Sequence, residues 1–415
     1  MNSISKILII GFVWPEPNSS AAGSRMMQLI ELFQKQNWEV HFATTATETN
    51  HMVDLNEFEV ATKQIRLNHN SFDVYVKQLQ PNVVLFDRFM IEEQFGWRVA
   101  EQCPGAIRVL DTEDLHSLRK TRQEAFKKGI EFTADMLLNS EIAKRELASI
   151  YRCDLTLIIS TYEMGLLQDV FKVDKSLLCY LPFLMENISV NTFTKFSGFS
   201  DRQHFMCIGN FRHEPNWNMV LYLKQTIWPM IRKLLPKAEL HVYGSYPSEK
   251  VTQLTKKAEG FIVKGWVDDV SEVMQESRVC LAPIRFGAGI KGKFTDAMQN
   301  GLPSVTTKIG AEGMRGDLPW GGSVVNTPEE IAASAVQLYE NESLWLESQH
   351  NGGKIINAIY ANVKYQESFI TKVKSLSKSL DQHRTFNFIG AMLMHHTLKS
   401  TKYLSKWIAE KEKSK

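Results

Sequence analysis

The chain has 415 residues, 44% hydrophobic and 23% charged, with a formal net charge of +2. At roughly 150 residues per domain, that length calls for two or three domains with ample core. The near-neutral balance excludes a whole-molecule electrostatic case for nucleic acid or an acidic partner.

"KILIIGFVW" reads as a first buried strand, too short for a membrane span and followed by no small-residue cleavage site. "PEPNSSAAG" is a loop, and "SRMMQLIELFQKQ" carries apolar residues at helical spacing. "WEVHFATT", "NVVLFDRF", "AIRVLDTED" and "CDLTLIIST" read as further strands. Strands alternating with helices predict a doubly wound parallel sheet. From about Lys175 to Arg202 the rhythm breaks, which places the domain boundary there.

The alternation restarts with "HFMCIGNF", a strand, then "NMVLYLKQTIWPMIRKLL", a helix with Pro229 inside it. "AELHVYGS" (strand), "EKVTQLTKKA" (helix), "GFIVKGWV" (strand), "VSEVMQESR" (helix) and "VCLAPIRF" (strand) follow. The expected division is 1–185 and 186–365, two Rossmann-like domains, with a helical extension over 366–415 that crosses back to the first. Two open α/β sheets leave a cleft, and ligands bind at the carboxyl ends of such strands.

"IRFGAGIKGKFTDAMQNGLPSVTTKIGAEGM" then places three glycines and two lysines at the mouth of a helix. Glycine admits close backbone approach, a helix N-terminus offers free N–H groups, and Lys291 and Lys293 add charge. The combination suits an anion such as a diphosphate; the plain alternative is a tight turn with two solvated lysines. There is no P-loop, and no G-x-G-x-x-G after the first strand, which weakens a dehydrogenase.

This stretch resembles the donor-site signature of GT-B glycosyltransferases, family 4 (group 1) type. Asp296-Ala297-Met298 and Gly301-Leu302-Pro303-Ser304-Val305 carry the resemblance, as does "IGNFRHEPNWNMVLYL". It is strong from about Phe205 to Met314 and weaker from Lys6 to Ser160. It implies a GT-B fold and transfer of a sugar from a nucleotide-diphosphate sugar to an acceptor hydroxyl. Retention, no metal and no cofactor are implied with it, in glycan or polysaccharide biosynthesis. An inactive GT-B binding protein and a nucleotide-sugar epimerase are the alternatives.

By the same resemblance, Asp296 stands where the family has the second of two glutamates, at the donor ribose. The first falls on Ala288, so the sugar is left open. Lys291 and Lys293 become the diphosphate clamp, beside Gly287, Gly289 and Ile290. Gly209 and Arg212 fall after the first strand of the second domain, where Asn210 and Pro215 replace an expected Arg and Lys and His213 lies close by. Trp266 and Val267 fall at the base pocket, where Trp266 stacks on a base or is a core aromatic. Gly23 alone matches the paired glycines after the first strand, with Arg25 in the next helix and Ser19, Ser20 or Ser24 as its N-cap.

"LDTEDLHSLRKTR" is the most polar cluster of the first half and follows a strand end. It makes His116, Asp111 and Asp114 the catalytic candidates with Lys291; Asp87 and Arg88 are further strand-end candidates. Glu141 and Glu146 are expected as exposed helix charges. His395 and His396, adjacent on a helix, point apart and read as structural rather than as metal ligands.

Cys103, Cys153, Cys179, Cys207 and Cys280 are scattered and form no CxxC pair. They argue against disulfides and structural zinc, suit a reducing cytoplasm, and read as core residues. From Arg384 onward there are seven Lys/Arg and two Glu. "KYLSKWI" sets Leu404, Trp407 and Ile408 beside Lys402 and Lys406. That pattern means either a helix packed back on the first domain or a peripheral contact with the inner face of a membrane.

Overall fold

The protein is described from a computed structural model covering residues 5–413, with the side chains of residues 396–398 outside that description, so the His396 reading falls outside it. Seven parallel strands form the first sheet: β1 (Lys6–Gly11), β2 (Glu39–Thr44), β3 (Ala61–Gln64), β4 (Val83–Asp87), β5 (Ile107–Asp111), β6 (Leu155–Ile158) and β7 (Leu178–Tyr180). Six form the second: β8 (Gln203–Ile208), β9 (Leu240–Tyr243), β10 (Phe261–Gly265), β11 (Ser277–Ala282), β12 (Ser304–Thr306) and β13 (Gly322–Val324).

The orders are β3-β2-β1-β4-β5-β6-β7 and β10-β9-β8-β11-β12-β13. Each reverses direction once, between β1 and β4 and between β8 and β11. Those reversals open a crevice at the strand carboxyl ends, and the candidate loops follow the ends of β1, β4, β5, β8, β10 and β11.

β1 shows why the sheets form. Ile7 and Ile9 enter one core of the first lobe, and Leu8 and Ile10 enter the other. A strand buried on both faces reads as an unbroken apolar run. The edge strand β3 has no such signature, because all four of its residues are exposed.

One expectation is refined and two are corrected. The helix around Pro229 is continuous but irregular: Glu214–Tyr222, a π turn at Leu223–Ile227, then Trp228–Leu234, the π turn accommodating the N–H that proline lacks. "EKVTQLTKKA" is helical only over Glu249–Thr252. The irregular segment after Lys175 contains β7, the last strand of the first sheet.

The C-terminal helices return to the first lobe. Helix Val363–Phe386 places Phe369, Ile370 and Val373 in the first-lobe core, and Arg384 pairs with buried Asp154 at 2.8 Å. Helix Phe388–Lys413 then packs on helices Phe89–Gln102 and Glu141–Arg152. Among the described residues no helix is long and apolar enough to cross a membrane. All five cysteines are buried.

Candidate functional site

Three strand ends of the first lobe converge. Arg25, in the second turn of helix Ala21–Gln34, is buried and clasps Asp111: Nε to Oδ2 is 2.9 Å and Nη2 to Oδ1 is 2.8 Å. Its Nη1 also donates to Leu181 O at 2.9 Å. Both Asp111 oxygens are therefore engaged, and the carboxylate is fully buried. Asp111 holds a structural ion pair beneath the cleft.

Asp87 Oδ2 accepts from Phe12 N at 2.8 Å, while its other oxygen is buried without a hydrogen-bond partner. Arg88, in left-handed backbone (φ 72°), lies over the Phe12 ring at 5.0 Å. Phe12 and Val13 are exposed at the end of β1. Glu113, also left-handed (φ 62°), completes the group; burial, then Asp111, raises its pKa well above the carboxylate range. Glu113 is not among the sequence candidates, which stand at Asp111 and Asp114.

Asp114 and His116 stand together, with His116 Nε2 3.4 Å from Asp114 Oδ1. Arg119 Nε donates to Asp114 Oδ2 at 2.7 Å. Burial works against the Asp114 charge, but Arg119 and His116 outweigh it and hold its pKa at about 2. Burial pushes His116 down to about 3, so it is neutral at physiological pH. His213 of the second lobe lies within range of the Arg119 and Asp114 charges; desolvation, then the Arg119 charge, lower its pKa to about 4.

Glu146 corrects an expectation. It is buried, with Oε1 accepting from His116 N at 2.9 Å and Oε2 from Ser117 N at 3.0 Å and from the Ser117 hydroxyl. It caps the helix His116–Lys128, whose own N-cap position, Leu115, has no side-chain acceptor to offer. Glu141 is exposed.

The glycine loop of the second lobe faces this cluster. Gly289 adopts φ +62°, and a Cβ there would lie 2.7 Å from Asp114 Cβ. A side chain at Gly292 would come within 2.6 Å of Ala21 Cβ, so the lobes meet at bare backbone on both sides of Lys291. Lys291 precedes helix Gly292–Gln299 and bonds Gly289 O through Nζ at 2.9 Å. Burial lowers its pKa to about 8, with Glu312, Glu163 and Asp114 supporting its charge. Ala288 packs against the apolar cluster of the first lobe.

The two lysines do not stand side by side. Lys293 turns into the second lobe: its Nζ donates to Asn216 Oδ1 at 2.8 Å and lies 3.9 Å from Met219 Sδ. Asn216 in turn lies against Gly209, where a Cβ would meet it at 2.6 Å. Asp296 is pushed up to about 7 by burial, against the opposing charge of Lys293.

The remaining donor candidates are partly engaged with other protein groups. Trp266 stacks on His51 of the first lobe at 4.7 Å, with its indole N–H buried and unpartnered, and Val267 is half-buried after it. Arg212 is exposed and sits 3.6 Å over the Tyr246 ring; Tyr246 donates to Glu16 Oε1 at 2.7 Å. Gly23 N donates to the N-cap hydroxyl of Ser20 at 3.1 Å, and a Cβ at Gly23 would overlap the Glu16 backbone at 2.4 Å. Gly287 O accepts from Arg122 at 3.0 Å, and Ile290 is buried.

Among the described residues one group has metal-ligand spacing, and it lies outside the cleft. His204, Glu239 and His241, at the amino ends of β8 and β9, hold their ligand atoms within 4.8 Å. Internal hydrogen bonds join all three: His241 Nε2 to Glu239 Oε2 at 2.7 Å, and Glu239 N to His204 Nδ1 at 3.2 Å.

Residues 202–341, in the second lobe, match the family described as Glycosyl transferases group 1. No curated protein sequence matches closely enough to count as a relative. Among solved structures, sucrose-phosphate synthase from Thermosynechococcus elongatus is 14% identical with a TM-score of 0.66, over 90% of this chain and 100% of that one. Anabaena HepE, solved with UDP and glucose, is 12% identical (TM-score 0.64, 90% and 100% covered). Pneumococcal O-GlcNAc transferase GtfA, solved with UDP and GlcNAc, is 11% identical (TM-score 0.65, 90% and 99% covered).

The fold is GT-B. At these identities the likeness is one of fold, with two facing parallel-sheet domains and C-terminal helices, and it carries no activity by itself.

Proposed function

We propose that the protein is a glycosyltransferase. In this reading it moves a sugar from a nucleotide-diphosphate sugar to an acceptor hydroxyl, with retention at the anomeric carbon, in glycan or glycoconjugate biosynthesis. The observation that carries it is Lys291. Its ammonium group lies in the cleft at the start of helix Gly292–Gln299, with the His116–Asp114 pair of the other lobe facing its loop. The match of residues 202–341 to group 1 glycosyl transferases supports the reading, as do the UDP complexes of HepE and GtfA.

The chemistry follows from charge. As the glycosidic bond to the diphosphate breaks, negative charge grows on the leaving oxygen. A pre-positioned ammonium and free N–H groups stabilise that charge more than they stabilise the intact donor. Lys291 would supply this without a divalent ion. His116, kept neutral by burial, would offer a hydrogen bond to the sugar or acceptor rather than a charge. Exposed Phe12 and Val13, with Arg88 above Phe12, suit an acceptor that has an apolar part.

The partner set extends to a membrane surface. On helix Phe388–Lys413, Phe388, Ile389, Met392, Tyr403, Leu404 and Trp407 are all exposed. At about 100° per residue they fall within one sector of roughly 160°, and Lys399, Lys406 and Lys411 lie along it. Trp and Tyr with lysines along an apolar stripe fit the headgroup region of an anionic bilayer.

Ala288 favours a second reading, a GT-B binding protein without turnover, because an acid is missing near the donor sugar. Incubation with UDP-, GDP- and ADP-sugars and a hydroxylated acceptor, with and without EDTA, decides. Acceptor-dependent nucleotide release that survives EDTA is expected. Binding without release would favour the binding protein, and conversion without acceptor would favour an epimerase.

A further inference from the structure

One carboxylate oxygen joins the two loops on which this reading depends. Glu163 lies on the short first-lobe helix Thr161–Gly165 and is 1% exposed. Its Oε1 accepts from Leu115 N at 3.0 Å and, across the cleft, from Gly289 N at 2.8 Å. Leu115 immediately precedes His116. Gly289 in turn presents its carbonyl to Lys291 Nζ at 2.9 Å. The same oxygen therefore fixes the loop that launches His116 and the peptide on which Lys291 is seated.

The rest of the loop depends on the first lobe in the same way. Arg122 donates to Gly287 O at 3.0 Å. Asp114 leaves no room for a side chain at Gly289. If the lobes part, Gly289 N loses its acceptor and Lys291 loses a fixed seat. The second oxygen, Oε2, is buried with no hydrogen-bond partner. An unpartnered buried oxygen is a cost that an apolar side chain of similar size would avoid, so packing alone does not account for an acid here.

We propose that Glu163 is a positioning residue: it fixes the Gly289 peptide, and through it Lys291, so that the anion-binding loop takes its binding shape only when the lobes close. This deepens the glycosyltransferase reading and rests on it for the identity of the anion. Glu163 touches neither donor nor acceptor; it acts through Gly289. Closure and donor binding then favour each other, because each supplies part of the other's contacts.

The test uses the full chain as wild type, E163Q and E163L. Glutamine keeps an Oε1 acceptor for both amides, and leucine keeps the volume without it. Backbone hydrogen exchange is followed over residues 287–291, and UDP, GDP and ADP affinities are measured by calorimetry. E163L is expected to speed exchange at Gly289 and weaken the nucleotide that wild type binds by about tenfold each, the effect of one good hydrogen bond. E163Q should restore both. Wild-type exchange and affinity in E163L would overturn the proposal. So would an unprotected Gly289 amide in wild type, a result that stands even if E163L does not fold. If wild type binds none of the three nucleotides, the glycosyltransferase reading fails, while the exchange data still decide the clamp.

Discussion

Arg122 of the first lobe forks onto Glu312 of the second, Nη1 to Oε2 at 2.7 Å and Nη2 to Oε1 at 2.8 Å. Paired parallel bonds of this kind fix orientation as well as distance. Arg122 is buried and Glu312 is about one-fifth exposed, so little solvent screens the pair. The guanidinium also reaches Gly287 O, which makes one side chain a latch on both the lobe contact and the glycine loop.

Removing that latch should open the molecule. R122A is expected to weaken the lobe–lobe contact by about 2–5 kcal/mol, as truncation of a hydrogen-bonded buried pair does elsewhere. Small-angle scattering should then show a larger radius of gyration. The R122A/E312A double variant should lose less than the sum of the two single losses. An unchanged radius with additive losses would mean that the pair does not hold the lobes.

Lys291 sets a pH limit. Burial places its pKa at about 8, so it is charged below that value and neutral above it. A reaction that needs the ammonium should therefore lose kcat/KM as pH rises through about 8, since that ratio reports the free enzyme. K291A should lower turnover by roughly 10²–10³-fold, in line with the loss of one pre-organised donor. It should also remove the alkaline limb. A retained limb in K291A would assign the titration to another group.

The sequence makes some of this readable and hides the rest for definite reasons. β1 is legible because both of its faces are buried, and Gly287–Gly289 because bare backbone and lysine at a helix mouth suit an anion. Lys291 and Lys293 read as one clamp, yet two positions apart at a helix start point different ways, and only the first faces the cleft. That divergence was available from helix geometry. The Arg25–Asp111 pair and the Glu163 bridge were not, because their partners lie 86 and 126 residues away. An acid in a helical pattern reads as a surface charge until its tertiary partners are known.

Glu146 is the clearest such case and can be tested directly. It receives three hydrogen bonds at the start of helix His116–Lys128. E146A strips the acceptors from His116 N, Ser117 N and the Ser117 hydroxyl inside a buried site. Each stranded donor costs about 1–3 kcal/mol when water cannot reach it. A loss of about 3 kcal/mol or more in urea unfolding is expected, with partial recovery in E146Q, whose amide oxygen still accepts. An exposed helix charge would instead change stability by less than about 0.5 kcal/mol.

The C-terminal helix separates two uses of one amphipathic element. Its inner face is anchored: Ser405 is buried and bonds Arg98 and Asn68 at 3.0 and 2.9 Å, and Gly390 sits against Tyr151 O. Packing on the first lobe therefore accounts for the inner face and leaves the outer stripe unexplained, with Phe388 74% and Trp407 60% exposed. If that stripe meets a bilayer, wild type should sediment with phosphatidylcholine vesicles containing phosphatidylglycerol and much less with phosphatidylcholine alone. Each lysine near an anionic surface contributes about 1 kcal/mol, and the attraction is screened by salt, so raised ionic strength should release the protein in part. F388S/W407S should abolish binding while leaving unfolding unchanged, because neither side chain is part of a core. Concentration-dependent self-association that the same substitutions remove, with no vesicle binding, would assign the stripe to a second copy of the chain instead.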